Sequence, residues 1–330
     1  MILAGDVGGT KVALALVEHG EGEFRILREE RYATEDFDGL APVVERFLAD
    51  AGERPDRACF GVAAPVVDES VAMTNLDWKI DRERLARATG IPHVVLINDL
   101  AAAAWGIDAL SPDGFETLSE GEPQGPTAGL IAAGTGLGMA ILTRAGGRDL
   151  VLPSEGGHQA FAPRIPLEED LLAFLRGRFP DHVSIERVVS GSGIEAIYAF
   201  LRETGREAEP PWLAERLAAS ADRSEEISRV ALAGEAAICE ATMDAFIRCF
   251  ASAAGDLALT IMALRGVYLA GGIAPAIVPL LRDGGFLDAF RAKGRFQGHL
   301  ERVPVKIVLD LQAPLLGAAR RATIDADPFR

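Results

Sequence analysis

The sequence predicts an α/β protein made of two similar halves, and three observations support this prediction. The chain has 330 residues, which at roughly 150 residues per domain corresponds to about two domains, each large enough to bury a core. Strand and helix patterns alternate along it, on a sheet that begins with hairpins. An apolar strand, a turn of small residues and a second apolar strand occur at Ile2 and again at Gly129. Unless this similarity is due to chance, it indicates two related domains that face each other across a cleft.

The N-terminal part of the chain shows the alternation most clearly. Short apolar runs separated by turn residues predict three strands in succession. Apolar residues at helical spacing then predict a helix, and the order strand, helix, strand, helix follows. The predicted strands are Met1–Asp6, Lys11–Val17, Glu23–Tyr32, Arg57–Ala63 and His93–Ile97, the turns are Gly8–Thr10 and His19–Gly22, and the helices are Asp38–Ala51, Asp81–Thr89 and Leu100–Trp105.

The remainder is predicted to be largely helical, because apolar residues recur with a period of about 3.6. No low-complexity linker interrupts it, so we place the two chain crossings near Leu110 and Arg302. This divides the protein into a smaller α/β domain, residues 1–110 plus 302–330, and a larger α/β domain, residues 111–301. The predicted helices are Leu167–Phe179, Gly193–Glu203, the alanine-rich stretch Ser224–Leu264, Pro275–Leu281 and Pro314–Thr323, and the predicted strands are Gly266–Ala270 and Val303–Leu309.

The charge balance argues against polyanionic partners. There are 33 Lys and Arg residues against 49 Asp and Glu residues, which gives a net charge of −16. A surface of this sign repels phosphate backbones and anionic lipids, so we expect no nucleic acid partner and no membrane partner. A local basic patch could still hold a small anion.

Three further features predict a cytoplasmic protein. The N-terminus carries Asp6 and no basic flank, unlike a secretory signal. The longest uncharged run, Gln124–Thr143, holds five glycines and a proline, which suits turns between strands better than a membrane helix. The cysteines, Cys59, Cys239 and Cys249, form no CxxC or CxC pair, so we expect buried free thiols in a reducing compartment.

Three glycine-rich turns invite a phosphate-binding interpretation. The segment Gly5–Lys11 lacks the Gly-Lys-Ser/Thr order of a Walker A loop, and Gly134–Gly138 lacks the GxGxxG spacing of a dinucleotide loop. In both cases a strand follows where those loops need a helix. A hairpin turn can still present backbone N–H groups and a threonine hydroxyl to a phosphate, because glycine lets the anion approach the chain. Two such hairpins, together with Gly271-Gly272, favour phosphate binding over plain turns.

Acidic residues follow two of the predicted strands. Asp6 ends the first strand, where it can cap the turn or bind Mg²⁺ through water. Asn98 and Asp99 end the buried strand His93–Ile97, and strand ends in α/β sheets open onto the ligand crevice. The pair can simply cap the next helix. Alternatively, Asp99 acts as a base that accepts a hydroxyl proton while Asn98 orients the ligand.

A second polar group lies farther along the chain. Two glycines separate Glu155 from His158 and make a turn from which both side chains can point to one side. An acceptor beside a donor suits adjacent hydroxyl groups of a sugar, although an incidental surface turn is the alternative. A zinc site would need more ligands than these. Glu186 can equally be a solvated helix residue.

Together these segments resemble the bacterial glucokinases, a family within the superfamily of hexokinases, actin and heat-shock chaperone ATPases. The similarity extends over nearly the whole chain, with the segments in the order of the family. The matching segments are Gly5-Asp-Val-Gly-Gly-Thr10, Ile97–Leu100, Ala133–Gly138, Pro153–His158, Phe161–Pro163, Glu186–Gly191, Val267–Ile273, Lys293–Phe296 and Leu315–Ala318.

The resemblance implies an ATP-dependent kinase that converts D-glucose to glucose 6-phosphate with the help of Mg²⁺. It also implies two ribonuclease-H-like domains of the actin and hexokinase type with an interdomain cleft, and a homodimer. Asp99 would be the general base on the 6-hydroxyl, and Asp6 would hold Mg²⁺ through water. The sugar would be bound by Asn98, Asp99, Glu155, His158 and Glu186, and ATP by Gly5, Asp6, Val7, Gly8, Gly9, Thr10, Gly134, Thr135, Gly271 and Gly272.

The chain departs from the family at two places. Lys11 stands where related proteins often have Asn and is similar to the neighbouring repressor/ORF/kinase (ROK) sugar kinases, whose cysteine-rich zinc motif does not occur in this sequence. Gln312-Ala-Pro314 replaces the more usual Asn-Pro-Gly. The alternatives to a glucokinase are a kinase for another hexose or an N-acetylated amino sugar, since one pocket contact can change that preference, and a non-catalytic sugar-sensing protein.

Overall fold

The chain divides into two units, each with its own sheet. The first unit consists of Met1–Gly114, Arg144–Pro153 and Asp310–Arg330, and the second of Phe115–Thr143 and Ser154–Leu309. The computed structural model describes residues 1–20, 23–52, 54–66, 69–73, 76–283 and 285–324.

Most of the predicted elements are present with bounds that shift by a few residues. The turn predicted at His19–Gly22 lies partly outside the described residues. The strands are β1 (Ile2–Val7), β2 (Lys11–Gly20), β3 (Glu23–Ala33), β4 (Arg57–Val62), β5 (Ser70–Ala72), β6 (Lys79–Asp81), β7 (His93–Asn98), β8 (Phe115–Ser119), β9 (Ala128–Ala133), β10 (Leu137–Ala145), β11 (Arg148–Ser154), β12 (Gly266–Ala270) and β13 (Val305–Val308). The helices are α1 (Leu40–Ala51), α2 (Arg82–Thr89), α3 (Asp99–Gly106), α4 (Pro166–Arg176), α5 (Gly191–Glu203), α6 (Pro211–Ala219), α7 (Arg223–Leu232), α8 (Ala237–Ile261), α9 (Ile273–Ala276), α10 (Val278–Asp283), α11 (Phe286–Arg291), α12 (Gln297–Leu300) and α13 (Ala313–Ala322).

The sheet of the first unit has the strand order β3-β2-β1-β4-β7. Strand β1 forms an antiparallel hairpin with β2 and lies parallel to β4, which in turn lies parallel to β7. Because side chains alternate along a strand, Leu3 packs in a cluster with α1 on one face, and Ala4 packs in a cluster with α13 on the other. Both faces of the sheet are therefore covered, and the three parallel strands end at the same edge.

Glycine lets helices α3 and α13 touch along their backbones. A Cβ atom at Gly317 would lie 1.8 Å from the carbonyl oxygen of Ala102, and a Cβ atom at Gly106 would lie 2.0 Å from that of Ala313. Only glycine fits at either position, because any side chain would overlap the facing backbone. Helix α13 therefore supports α3, which begins at Asp99.

The second sheet repeats the arrangement of the first. Its order is β11-β10-β9-β12-β13-β8. As in the first sheet, an antiparallel hairpin, here β9 and β10, is followed by two parallel strands, here β12 and β13. Strand β8 is an additional antiparallel edge. The similarity between the segments at Ile2 and Gly129 thus corresponds to two equivalent hairpins.

Two segments lie on the other side of the unit boundary from where the sequence placed them. Strand β13, predicted within the smaller domain, pairs with β12 and β8 in the second sheet, and the boundary falls at Asp310. The tip of the hairpin formed by β10 and β11, Arg144–Pro153, belongs to the first unit. Its Asp149 forms an ion pair with Arg320 of α13, with a distance of 2.6 Å between the charged atoms. Such long-range contacts leave no local sequence pattern.

The alanine-rich stretch Ser224–Leu264 is divided between two helices, α7 and α8. Gly234 lies between them with φ of 63°, a left-handed conformation that ends the first helix. Within the described residues, none of the helices is both long enough and apolar enough to cross a bilayer. Cys59, Cys239 and Cys249 are buried free thiols, as predicted.

Candidate functional site

The carboxyl ends of β1, β4 and β7 bring together the polar residues predicted in the first unit. Asp6 of β1 is in register with Gly61 of β4, which is in register with Ile97 of β7. Asn98 is the last residue of β7, and Asp99 is the first of α3. A Cβ atom at Gly61 would lie 2.7 Å from a side chain of α3, so glycine lets this helix start directly on the sheet. Asp6 and Asp99 therefore share one edge.

Burial raises the pKa of both carboxyl groups. Desolvation, together with a smaller contribution from the charge of Asp6, raises the pKa of Asp99 to about 6, against the opposing hydrogen bond from the Leu100 amide. Burial also raises the pKa of Asp6, while the positive charges of Lys11 and Arg31 act in the opposite direction. A carboxylate whose pKa lies near neutrality accepts a proton more readily than an ordinary one.

Asn98 caps helix α3, so this alternative from the sequence is correct. Its Oδ1 accepts hydrogen bonds from the amides of Leu100 at 2.9 Å and Ala101 at 3.4 Å. The Leu100 amide also donates to Oδ1 of Asp99 at 2.8 Å. A side-chain hydrogen bond from Asn98 stabilises the charged form of Asp99 and lowers its pKa in part. The helix start thus fixes the orientation of the carboxylate.

The first glycine turn, residues 8–11, is held through its carbonyl groups. The Gly8 amide donates to the Lys11 carbonyl at 3.0 Å. Thr34 binds the turn twice, with its amide on the Thr10 carbonyl at 3.0 Å and its hydroxyl on the Gly9 carbonyl at 2.9 Å. Among the described residues, none accepts a hydrogen bond from the Gly9 or Thr10 amide. These two N–H groups are therefore available to donate hydrogen bonds to an anion.

Gly5 and Val7 belong to the sheet beneath the first glycine turn. Both are buried within β1. A Cβ atom at Gly5 would lie 2.3 Å from the ring of Phe60, so packing already requires glycine there. Any part that these two residues take in phosphate binding would have to come from their backbone, and it stays a prediction.

The second glycine turn, residues 134–137, is held by a segment distant in sequence. Within the turn, the Gly134 amide donates to the Gly136 carbonyl at 2.9 Å. Oε2 of Glu186 accepts a hydrogen bond from the Leu137 amide at 2.9 Å. The Gly191 amide donates to the Gly134 carbonyl at 2.8 Å. The carboxylate of Glu186 therefore contacts the second glycine turn, and the residue itself is half-buried in the 3₁₀ helix Ile185–Arg187.

Glu155 and His158 belong to a short turn, residues 155–158, called here the polar turn, in which Glu155 precedes the 3₁₀ helix Gly156–His158 and His158 ends it. Nε2 of His158 is 3.8 Å from Oε2 of Glu155, and the two side chains are 66% and 74% exposed, respectively. A Cβ atom at Gly157 would lie 1.9 Å from the carbonyl oxygen of Leu137, so glycine lets the polar turn rest on β10. Leu137 thus contacts the polar turn through its carbonyl and Glu186 through its amide.

A groove of about 850 Å³ opens beside the second glycine turn. Its walls include Gly134, Thr135 and Gly272 together with the starts of α5 and α7. Gly271 has φ of 85°, and a Cβ atom there would lie 2.2 Å from the carbonyl oxygen of Ala133. Only glycine therefore lets this chain segment lie against the end of β9. The volume is that of a typical small-molecule site.

The residues that α5 and α7 contribute to this groove were not identified from the sequence. Ser192, Glu195 and Asp222–Glu225 all line it. Ser190 caps α5 by accepting a hydrogen bond from the Gly193 amide at 3.0 Å, and Asp222 caps α7 in the same way at 3.0 Å. The run Ser190-Gly-Ser-Gly193 was the available signal, because a serine cap with glycines is typical of a helix start that leaves room for a neighbour.

Asp6 is a suitable ligand for a magnesium ion. No cluster of three or more His, Cys, Asp or Glu residues that could hold a metal occurs in the described part of the chain. Mg²⁺ keeps several waters, however, and takes only one or two carboxylates besides phosphate oxygens. The carboxyl group of Asp6, on the edge of the first sheet, meets that requirement.

The predicted site residues form two groups, one in each unit. Within each unit they lie together, around the edge of the first sheet and around the second glycine turn. The first unit holds Asp6, Gly8, Gly9, Thr10, Asn98 and Asp99, and the second holds Gly134, Thr135, Glu155, His158, Glu186, Gly271 and Gly272.

Comparison with known proteins points to one family. The family model described as Glucokinase matches residues 3–324. A glucokinase from Nostoc punctiforme is 43% identical over 333 residues, which cover 97% of this chain and 98% of that protein. The crystal structure of a glucokinase from an Antarctic psychrotroph has a TM-score of 0.86 at 32% identity and covers 98% of both chains. A ROK family glucokinase from Streptomyces griseus, in complex with glucose and AMPPNP, shares the fold with a TM-score of 0.66 at 23% identity, over 98% of this chain and 99% of that one.

Proposed function

This chain belongs to the glucokinase family and is a sugar kinase with the actin-like ATPase fold, and on that premise we propose that it transfers the γ-phosphoryl group of ATP to the 6-hydroxyl of D-glucose. The observation that carries the proposal is Asp99, which lies on the same sheet edge as Asp6 and has a pKa raised to about 6. At neutral pH such a group is largely deprotonated, yet it is basic enough to accept a hydroxyl proton.

Asp99 acts as the general base. The oxygen of the 6-hydroxyl forms a bond to the γ-phosphorus, the bond from that phosphorus to the β–γ bridging oxygen breaks, and the hydroxyl proton moves to the carboxylate. ADP is the leaving group. Phosphoryl transfer depends mainly on positioning and charge stabilisation, and a well-placed base adds about 10²–10⁴-fold. The hydrogen bond from the Leu100 amide supports this role, because it holds the carboxylate in one orientation.

Asn98, Glu155, His158 and Glu186 bind the other hydroxyl groups of the sugar. The exposed donor and acceptor of the polar turn support this assignment, since a hexose needs paired polar partners. The S. griseus neighbour was solved with glucose, which supports glucose as the sugar.

The two glycine turns bind the phosphates of ATP. The free amides of Gly9 and Thr10 and the exposed hydroxyl of Thr135 supply donors. When bound, Mg²⁺ neutralises phosphate charge, and Asp6 holds it through water. The groove beside the second glycine turn takes the adenosine, which lies against Gly271 and Gly272.

We also propose a cytoplasmic homodimer without nucleic acid or membrane partners. The buried free thiols suit a reducing compartment, and the net charge of −16 disfavours polyanions. The dimer rests on the resemblance to the family. Light scattering should then give about twice the chain mass of 35.0 kDa.

An ADP-coupled assay over a panel of sugars tests the proposed substrate. We expect glucose to give the highest kcat/KM, above other hexoses and N-acetylated amino sugars. A higher value for any of those would replace glucose as the substrate. Glucose binding by calorimetry without ADP release would instead indicate a non-catalytic sugar sensor.

A further inference from the structure

Glu186 contacts the second glycine turn and, in the proposed function, also binds the sugar. We propose that Glu186 couples the two ligand sites: a sugar hydroxyl bound to its carboxylate orders the second glycine turn, so that glucose increases the affinity for ATP. This inference rests on the proposed function. It makes Glu186 a positioning residue for the nucleotide in addition to a sugar ligand.

The first observation is that residues 186–191 hold the turn at both of its ends. Oε2 of Glu186 accepts from the Leu137 amide at 2.9 Å, and the Gly191 amide donates to the Gly134 carbonyl at 2.8 Å. The hydroxyl of Ser190 donates to the Glu186 carbonyl at 2.7 Å, which ties the two ends of the holding segment together. Glu186 therefore holds one end of the turn, and Gly191 holds the other.

The second observation is the contrast between two glycines of the turn. A Cβ atom at Gly136 would lie 2.5 Å from Oε2 of Glu186, whereas a Cβ atom at Gly134 would meet nothing within 4 Å. Neither glycine has a φ between +20° and +160°, so neither position requires glycine for its backbone conformation. The carboxylate of Glu186 is thus packed against one side of the turn only.

The coupling follows from the two oxygens of one carboxylate. Oε2 is bound to the turn, and Oε1 is the oxygen with which a sugar hydroxyl can hydrogen-bond. A bound sugar restricts the carboxylate and, through Leu137, the turn. ATP then binds to a turn that is already ordered, and less conformational entropy is lost in that step. By linkage, ATP must increase the affinity for glucose by the same factor.

The matched pair Gly136→Ala and Gly134→Ala tests this inference by steady-state kinetics. Both variants add one methyl group to the second glycine turn. Only Gly136→Ala displaces the Glu186 carboxylate, so we expect it to raise the KM for glucose about tenfold. Gly134→Ala, whose added methyl group would not meet Glu186, should raise the KM for glucose less than Gly136→Ala does when both are measured at saturating ATP. Circular dichroism and Tm measurements confirm that both variants fold.

Calorimetric titration with AMPPNP measures the coupling directly. For the wild type we expect glucose to tighten AMPPNP binding by roughly 5- to 20-fold. Glu186→Asp keeps the charge, but its side chain is one methylene too short to reach both the Leu137 amide and the sugar. The ratio of the AMPPNP affinities with and without glucose should therefore approach one. Glu203→Gln, at the exposed end of α5 where Glu203 pairs with Arg178, is the control and should keep the wild-type ratio.

The outcomes separate this inference from the proposed function. A wild type that phosphorylates glucose, with Gly136→Ala and Gly134→Ala giving equal KM values for glucose, overturns the coupling and leaves the proposed function intact. The coupling is also overturned if, in Glu186→Asp, glucose still tightens AMPPNP binding by the wild-type factor. A wild type that binds no glucose overturns both.

Discussion

The two glycine turns occupy equivalent places in the two sheets but are stabilised in different ways. The first glycine turn is held by Thr34, which follows directly on the neighbouring strand β3, and the nearby acid Asp6 comes from its own hairpin. The second glycine turn is held by Glu186, which is 49 residues from the Leu137 amide that it binds. The first turn is therefore held from the strand beside its own hairpin, and the second depends on a segment more distant in sequence.

On the proposed function, this difference corresponds to different tasks. The proposed base and the first turn lie on one edge of the first sheet, which suits the chemical step. The second turn is linked to a proposed sugar ligand, which suits coupling between the substrates. Substitutions in the two units should therefore have different effects.

Replacing the base should give the largest effect. We expect Asp99→Ala to lower kcat by about 10²–10⁴-fold, because the proton acceptor is lost. The tightening of AMPPNP binding by glucose should persist, since it depends on the second unit. Steady-state kinetics and calorimetry measure the two quantities, and Asp113→Ala at an exposed position is the control. Near-normal kcat in Asp99→Ala would remove this residue from the base role.

The pH dependence should also follow the first unit. With the pKa of Asp99 raised to about 6, kcat/KM should fall about tenfold per pH unit below that value, as the base becomes protonated. Glu186→Asp should show the same apparent pKa, although its kinetic constants differ. A profile that stays flat between about pH 5 and 7 would contradict the assignment of Asp99 as the base.

Loosening the first turn should affect only the nucleotide. Thr34→Ala removes the hydroxyl that binds the Gly9 carbonyl, so we expect the KM for ATP to rise about fivefold with an unchanged KM for glucose. Thr89→Ala is the matched control, because the Thr89 hydroxyl likewise donates to a backbone carbonyl, that of Leu85 in α2. If Thr34→Ala raised both KM values, the contrast between the turns would be lost.

The smallest effect concerns stability. Because the folded-state pKa of Asp99 is raised from 3.8 to about 6, its carboxyl group favours the folded state only at low pH, and this contribution is lost as the pH rises through about 6. Asp99→Asn should therefore be more stable than the wild type at pH 8, by on the order of 1 kcal/mol, with a smaller gain at pH 5. Urea unfolding at the two pH values measures the difference in the free energy of unfolding between Asp99→Asn and the wild type. An equal difference at both pH values would show that desolvation of the charge is not the cause.

Features that depend on neighbouring residues could be predicted from the sequence. The hairpins at Ile2 and Gly129 follow from alternating apolar residues and glycine turns, and Asp99 follows from its place after a buried strand. The cap formed by Asn98 has a local signature as well. For these residues the physical cause lies within a few positions of the chain.

Features that depend on distant contacts could not be predicted. The bond between Glu186 and Leu137, and the contribution of Asp222 to the groove, arise only when helices pack against the second sheet. The same holds for β13, whose four residues carry no sign of the sheet that they join. The local pattern allows several pairing partners for such a segment, and tertiary packing determines which one it contacts.

The backbone contact between α3 and α13 has a consequence for biosynthesis. Helix α3 begins at Asp99, but Gly317, which lets the supporting helix α13 approach, is translated only after the whole of the second unit has been made. Until then α3 lacks the partner that fixes it to the sheet. We therefore expect the first unit to stay incompletely folded during synthesis until α13 has been translated. Substitutions that slow the packing of α13 against α3 should lower the yield of active protein before they alter its kinetics.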